Sequence, residues 1–207
     1  MSKLAFIFPG QGAQKAGMGK DFYENSEAAR SFFDHAQEIL DFDLKEMCFG
    51  EHEELNLTEY TQPCMVSVCL AIVQELKKRG INPDITAGLS LGEYAAVAAA
   101  GGMNELDAIK LVRRRGILMQ NTVPTGEGAM AAVLGLDAKK IEEILESFEN
   151  VWIANYNCPG QIVITGLTNE VKQASLALKE AGAKRVVELK VSGPFHSLLL
   201  KPAGEAL

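Results

Sequence analysis

Several features are scarce in this sequence, and each scarcity removes a class of function. Only four cysteines occur in 207 residues, Cys48, Cys64, Cys69 and Cys158, with no CxxC pair and no regular spacing. They read as reduced, mostly buried thiols of a cytoplasmic protein. Apolar runs stop far short of the ~20 residues that a membrane-spanning helix needs, so no membrane partner is expected. No charged-then-apolar leader precedes the first apolar run at residues 4–8, and export is not expected either. Positive charge is in deficit: 20 Lys and Arg stand against 27 Asp and Glu, for a net charge of −7. That balance argues against nucleic acid, because phosphate neutralisation needs a basic surface. Histidine is scarce too, leaving only His35, His52 and His196 as bases near neutral pH.

What remains is a chain rich in apolar residues, 47% of the total, enough for one large or two small domains. Residues 4–8 read as a buried strand, followed by a glycine-rich loop from Pro9 to Gly19. Apolar spacing at Phe22, Ala29, Phe32, Phe33, Ala36 and Leu40 predicts a helix through Leu40. Residues 42–60 are acidic and irregular. Pro63 suits the first turn of a helix whose apolar face carries Val66, Leu70, Val73 and Leu76 and which stops at Gly80. A short strand at 85–87 leads into an alanine-rich helix. Asn104 and Asp107 resemble a capping box for a helix to about residue 122. Strands alternating with helices suggest parallel β-α-β units and an α/β fold.

After Gly126 the pattern changes. A strand at 130–134, a helix capped by Asp137, strands at 151–155 and 161–165 around a turn at 157–160, a helix at 169–181 and a strand at 185–189 follow. This β-α-β-β-α-β order is the split β-α-β, ferredoxin-like signature. The expected organisation is a first domain over residues 1–126, a smaller inserted domain over 127–190 and a return to the first at 191–207. Two strands are too few for a stable open sheet, so further chain is expected to complete the first domain.

The chemistry concentrates in a few motifs. Gly88-Leu89-Ser90-Leu91-Gly92 follows a strand and opens a helix, the context of a nucleophile elbow. Ser90 would stand at a helix N-terminus, where backbone N–H groups can stabilise an oxyanion; an ordinary capping serine is the competing reading. The loop Gly10-Gln11-Gly12-Ala13-Gln14 fails as a dinucleotide fingerprint, because the third glycine would fall at Lys15, and fails as a P-loop because Met18 follows Gly17. Its N–H groups could complete an oxyanion hole, or it could be a simple turn.

His35 lies on a helix. His52 would need a second histidine at position 56, which is Asn56, so no metal site is expected. His196 follows a strand end and the rigid turn Gly193-Pro194, where a catalytic side chain can be held. Of Arg113, Arg114 and Arg115, only Arg115 has apolar neighbours on all sides at helical spacing (Leu111, Val112, Leu118, Met119). A buried guanidinium requires an anion, either an internal carboxylate or a substrate carboxylate.

In order along the chain stand Phe8-Pro9-Gly10-Gln11-Gly12-Ala13-Gln14, Gly88-Leu89-Ser90-Leu91-Gly92-Glu93, Arg115-Gly116 with Met119-Gln120, Asn157-Cys158-Pro159-Gly160-Gln161 and Gly193-Pro194-Phe195-His196-Ser197. Together they resemble the malonyl-CoA:acyl carrier protein transacylases of bacterial type II fatty acid synthesis. The resemblance covers essentially the whole chain and implies an α/β-hydrolase-like large domain with an inserted ferredoxin-like small domain. It implies Ser90 as nucleophile, His196 as its base, and backbone N–H groups of Gln11 and Leu91 as the oxyanion hole. Arg115 would bind the malonyl carboxylate, while Asn157 and Gln161 belong to a motif that lines the interdomain cleft in relatives. The implied partners are malonyl-CoA, as substrate, and acyl carrier protein; no cofactor is implied. Two departures stand out: Leu89 replaces the family's usual histidine, and relatives continue beyond Leu207, so this chain is expected to be truncated. Lys184, Arg185 and Lys190 are candidates for docking an acidic carrier. A serine thioesterase or esterase, and a non-catalytic carrier-binding module, are the other readings.

Overall fold

The apolar run near the start forms strand β1 (Ala5–Phe8), and Ile85-Thr86-Ala87-Gly88 forms β2 (Ile85–Gly88). In the computed structural model, which describes residues 3–124, 126–189, 191 and 193–207, these two strands pair in parallel with Phe8 opposite Gly88. The chain divides into two compact units, Met1–Ile117 and Leu118–Leu207, and its mixture of parallel β-α-β and antiparallel elements is α/β.

In the first unit the predicted helix through Leu40 is two helices, α1 (Lys20–Asn25) and α2 (Glu27–Glu38). Ser26 breaks them with extended backbone, and its hydroxyl accepts the Ala29 N–H as an N-cap. The acidic stretch expected to be irregular holds α3 (Leu44–Phe49), capped by Asp43 through the Glu46 N–H, and a 3-10 turn at Glu53–Asn56. Helix α4 (Thr58–Lys78) then starts five residues before Pro63, which therefore sits inside it and not in its first turn. Helices α5 (Leu91–Ala99) and α6 (Glu105–Thr122) follow; Asn104 Oδ1 caps α6 by accepting from the Leu106 and Asp107 N–H groups. Phe33, Leu44, Leu70, Leu91 and Ile109 are wholly buried in the core these elements share. A fully buried large side chain of this kind contributes about 1.5–3 kcal/mol.

The second unit runs β3 (Gly128–Leu134), α7 (Ala138–Leu145), β4 (Val151–Cys158), β5 (Gln161–Leu167), α8 (Thr168–Glu180) and β6 (Arg185–Glu188). Its sheet has the order β4-β5-β3-β6 with every neighbour antiparallel. Strand alternation divides the apolar residues between two cores. Ala129, Ala131, Val133, Ile162 and Ile164 face a core shared with Ile141 of α7 and Leu178 of α8. Met130, Ala132 and Val163 face the other way, against Phe195 and Leu200. The β4–β5 turn is tighter than predicted: β4 continues through Asn157 to Cys158, leaving only Pro159-Gly160 as the loop, with Gly160 at φ 78°. A 3-10 turn at Leu198–Leu200 leads into α9 (Lys201–Ala206). Cys48 and Cys64 are buried, as the composition suggested, but Cys158 is exposed.

Candidate active site

Parallel pairing of β1 and β2 brings the loops after both strands to the same end of the first unit. After β2 the backbone turns abruptly at Ser90, φ 51° and ψ −102°, and α5 begins at the next residue. Such a backbone is strained for a residue with a side chain, costing about 1–3 kcal/mol. Ser90 and His196 (φ 60°) are the two non-glycine residues with positive φ among the described residues. The two positions that the sequence nominated for catalysis are thus the two whose backbones are bent against preference.

What bends Ser90 is the packing of bare backbone around it. A Cβ at Gly88 would lie 2.0 Å from the Gly92 carbonyl carbon, and one at Gly92 would lie 2.3 Å from the Phe8 carbonyl oxygen. Strand, elbow and the loop after β1 therefore meet main chain to main chain, which only glycine permits. The Leu89 N–H donates to the Phe8 carbonyl at 3.1 Å, closing the same contact. Leu91 is the first residue of α5, so the helix offers no acceptor to its N–H.

Gln11 lies in the adjoining loop, which is held from two sides. Its Nε2 donates to Thr58 Oγ1 at 3.2 Å, tying it to the start of α4. Gln14 accepts the Gly12 N–H at 2.7 Å and donates to Asn56 Oδ1 at 3.1 Å. Gln11, Ser90 and Leu91 are thereby gathered at one end of the β1–β2 pair.

The arginines of α6 divide differently from the expectation that Arg115 alone turns inward. Arg113 is also drawn in: it takes Asp41 through Nε and Nη2 at 2.8 and 3.0 Å, and Glu59 Oε2 through Nη1 at 3.1 Å. Its guanidinium lies 5.2 Å from the Phe42 ring centroid and 5.0 Å from that of Tyr60. Flanking residues could not reveal this, since the partners are 54 and 72 positions away. Arg115 sits 5.4 Å from the Tyr94 ring centroid, over its face, and forms no ion pair among the described residues. Burial pushes its pKa down, opposed by the Tyr94 phenol and the Glu93 carboxylate. Such a group remains charged and favours an anion. Tyr94, which sequence reasoning passed over, follows Ser90 by four residues; an aromatic one turn beyond the elbow was the available signal.

The second unit carries the other nominated residues. The Pro194 ring sits where a Cβ on Gly128 would fall, 2.2 Å from its Cδ, and Phe195 is buried against Met130 and Val163. Ser197 Oγ donates to the Pro194 carbonyl at 2.6 Å. These anchors hold the turn from which His196 is exposed. Asn157 and Gln161 are exposed at the β4–β5 hairpin, where Cys158 Sγ donates to Gln161 Oε1 at 3.6 Å. Lys184 and Arg185 are exposed at the start of β6; Lys190 lies outside the described residues.

His52 pairs with Glu46 at 3.0 Å. No group of three or more His, Cys, Asp and Glu among the described residues could hold a metal ion. An apolar cavity of about 420 Å³ lies between β1 and α4, lined by Phe6, Phe8, Met65, Val68 and Ile72, with no titratable carboxylate, imidazole or amine. No described helix is long and apolar enough to cross a membrane.

Known proteins resemble this chain in sequence and in fold. The acyl transferase domain family matches residues 5–207. The malonyl CoA-acyl carrier protein transacylase of Bacillus subtilis is 50% identical over 212 residues, covering 100% of this chain and 67% of its own length. The crystal structure of the Clostridium perfringens malonyl CoA-acyl carrier protein transacylase superposes with a TM-score of 0.94 at 44% identity, over 99% of this chain and 66% of that one. A malonyl-transacylase solved in complex with a type II PKS acyl-carrier protein gives a TM-score of 0.95 at 40% identity, over 99% and 68%. This chain thus spans about two thirds of the length of such relatives. With an elbow serine, a glycine-bound loop beside it and five motifs in register, the chain belongs to the acyl transferase domain family, where its relatives are malonyl CoA-acyl carrier protein transacylases.

Proposed function

We propose that this chain carries the acylating machinery of an [acyl-carrier-protein] S-malonyltransferase of fatty acid biosynthesis. His196 takes the Ser90 proton, and Oγ attacks the thioester carbonyl of malonyl-CoA. N–H groups of Gln11 and Leu91 stabilise the oxyanion; CoA leaves as the thiol, and a malonyl-serine ester remains. The phosphopantetheine thiol of acyl carrier protein then attacks that ester and frees Ser90. The CoA thioester is a substrate, and the drawn steps use no further group.

Arg115 selects the acyl group. A malonyl carboxylate pairs with its fork, whereas an acetyl group leaves the guanidinium desolvated and unpaired. Asn157 and Gln161 are assigned to the lining of the substrate cleft, and Lys184 and Arg185 to the acidic carrier. The strand order of the second unit supports a ferredoxin-like small domain over residues 127–190, and the parallel β1–β2 pair with its elbow supports an α/β-hydrolase-like domain begun by residues 1–126 and resumed at 191–207.

The observation that carries the reading is the combination of a strained elbow serine with a desolvated arginine that forms no ion pair among the described residues. Intact-mass measurement after mixing with malonyl-CoA tests it. A malonyl adduct, absent with acetyl-CoA and absent in Ser90→Ala, is the expected result. An adduct that survives Ser90→Ala would overturn the assignment of the nucleophile.

A further inference from the structure

Arg113 and Arg115 lie two positions apart on α6 and are held by opposite means. The Arg113 fork is fully engaged by Asp41, Glu59 and two aromatic faces. Arg115 has one aromatic face, that of Tyr94, and no ion pair among the described residues. An arginine side chain carries about 2 kcal/mol of rotamer entropy, so an otherwise unanchored guanidinium would sample many directions. The ring face and phenol oxygen of Tyr94 restrain it while leaving most of its N–H donors for an anion, because the ring's attraction acts through the face of the guanidinium while hydrogen bonds leave from its edge.

We propose that Tyr94 is a positioning residue that fixes the Arg115 guanidinium so that its edge meets the carboxylate of a bound dicarboxylic acyl thioester. The inference rests on the reading of Arg115 as the carboxylate-binding residue. Tyr94 belongs to α5, the helix that Ser90 opens, so nucleophile and prop are carried by one element, four residues apart. The spacing between the reacting carbonyl and the far carboxylate is then read against a single rigid helix. Selection by Arg115 thus depends on a side chain that itself touches no carboxylate.

The test is made on the Ser90→Ala chain, which cannot be acylated, by calorimetric titration with malonyl-CoA and with acetyl-CoA. The quantity read is the ratio of the two affinities. Tyr94→Leu is expected to lower the malonyl preference about tenfold while leaving acetyl-CoA affinity within about twofold, the scale of a desolvated cation–π contact. Tyr94→Phe keeps the ring and is expected to stay within about threefold of the parent ratio. In an Arg115→Lys background, Tyr94→Leu should change the ratio less than in the parent, since an ammonium has no planar face to lay on the ring and no fork for the ring to orient. If Tyr94→Leu does not fold, Tyr94→Met removes the ring while keeping bulk. Equal losses for both thioesters, an unchanged ratio, or a Phe variant as impaired as the Leu variant would overturn the proposal. If Arg115→Ala abolishes the preference in the same series, the carboxylate role of Arg115 survives that failure. An Arg115→Ala chain that keeps the preference, or a parent that binds neither thioester, overturns both.

Discussion

The Glu59 carbonyl oxygen accepts a hydrogen bond from Arg113 Nη1 at 2.8 Å. In an unbroken helix that carbonyl would receive the N–H of residue 63, and residue 63 is Pro63, which has none. Arg113 supplies from α6 the donor that α4 lacks, and in doing so lets a helix continue through a proline. Gly116, one turn further along α6, makes the approach possible: a Cβ there would lie 2.8 Å from the Thr58 carbonyl oxygen.

Removing the donor should therefore unsettle α4 and not only the surface charge around it. Arg113→Met is expected to cost about 2 kcal/mol, the scale of charged hydrogen bonds lost with an acceptor left unpaired. Urea unfolding measures it. Pro63→Ala restores a local donor, so the cost of Arg113→Met in that background should shrink; additive costs would show that the carbonyl is not the coupling point.

Acid should destabilise the protein through Asp41 and Glu75. The Arg113 hydrogen bond holds the Asp41 carboxyl below the usual carboxylate range, and the Ser26 hydroxyl with Arg79 does the same for Glu75. Depressed folded values mean stability present above the unfolded carboxylate range and lost as pH falls through it and below. Urea midpoints should be flat from pH 8 to about pH 6 and decline below about pH 5, and Glu75→Gln should flatten the decline. A midpoint that rises on acidification would contradict the sign.

The elbow predicts an unusual ranking at position 90. At φ 51° glycine is unstrained, so Ser90→Gly should be more stable than Ser90→Ala by about 1 kcal/mol, the reverse of the order inside a helix. Thermal melts of the two variants decide it, and neither should form an acyl adduct.

Added methyl groups should separate structural from permissive glycines. Gly92→Ala places a Cβ against the Phe8 carbonyl, 2.3 Å away, and is expected to destabilise the first unit by more than about 2 kcal/mol. Gly204→Ala meets nothing within 4 Å on α9 and should be neutral or stabilising by up to about 1 kcal/mol. Melting curves compare them directly.

Thiol chemistry should follow burial. Desolvation pushes Cys69 up to about 11, and Cys48 and Cys64 are wholly buried, whereas Cys158 is exposed. Iodoacetamide near pH 8 should mark Cys158 first, with the others modified on unfolding; peptide mass mapping reads the order.

Elements whose causes are local were legible before the structure. Asn104 and Asp137 announced α6 and α7, and β3 to β6 followed from short apolar runs between turn signals. Ser90 could be nominated because strand, glycine turn and helix are contiguous in the chain, whereas Gln11 and Leu91 came only with the family resemblance. The errors share a cause, which is that the deciding partner is remote. Ser26 looked like one polar residue in a helical pattern, yet its hydroxyl bonds Glu75, 49 positions away, and stops a helix. Pro63 looked like a first-turn residue because nothing nearby could compensate for it; Arg113 does so from 54 positions from Glu59. Tyr94 escaped notice because its role depends on which face of α6 comes to rest on it.

The glycine contacts at the elbow have one more consequence. Ser90 is located by main-chain atoms of β1, β2 and α5, while the buried side chains beneath it only keep those segments together. Apolar substitutions in that core can drift in size and shape, lowering the melting temperature, without shifting Ser90. Sequence change in the interior is therefore tolerated by the chemistry up to the point of unfolding, and the handful of glycines is where that tolerance ends.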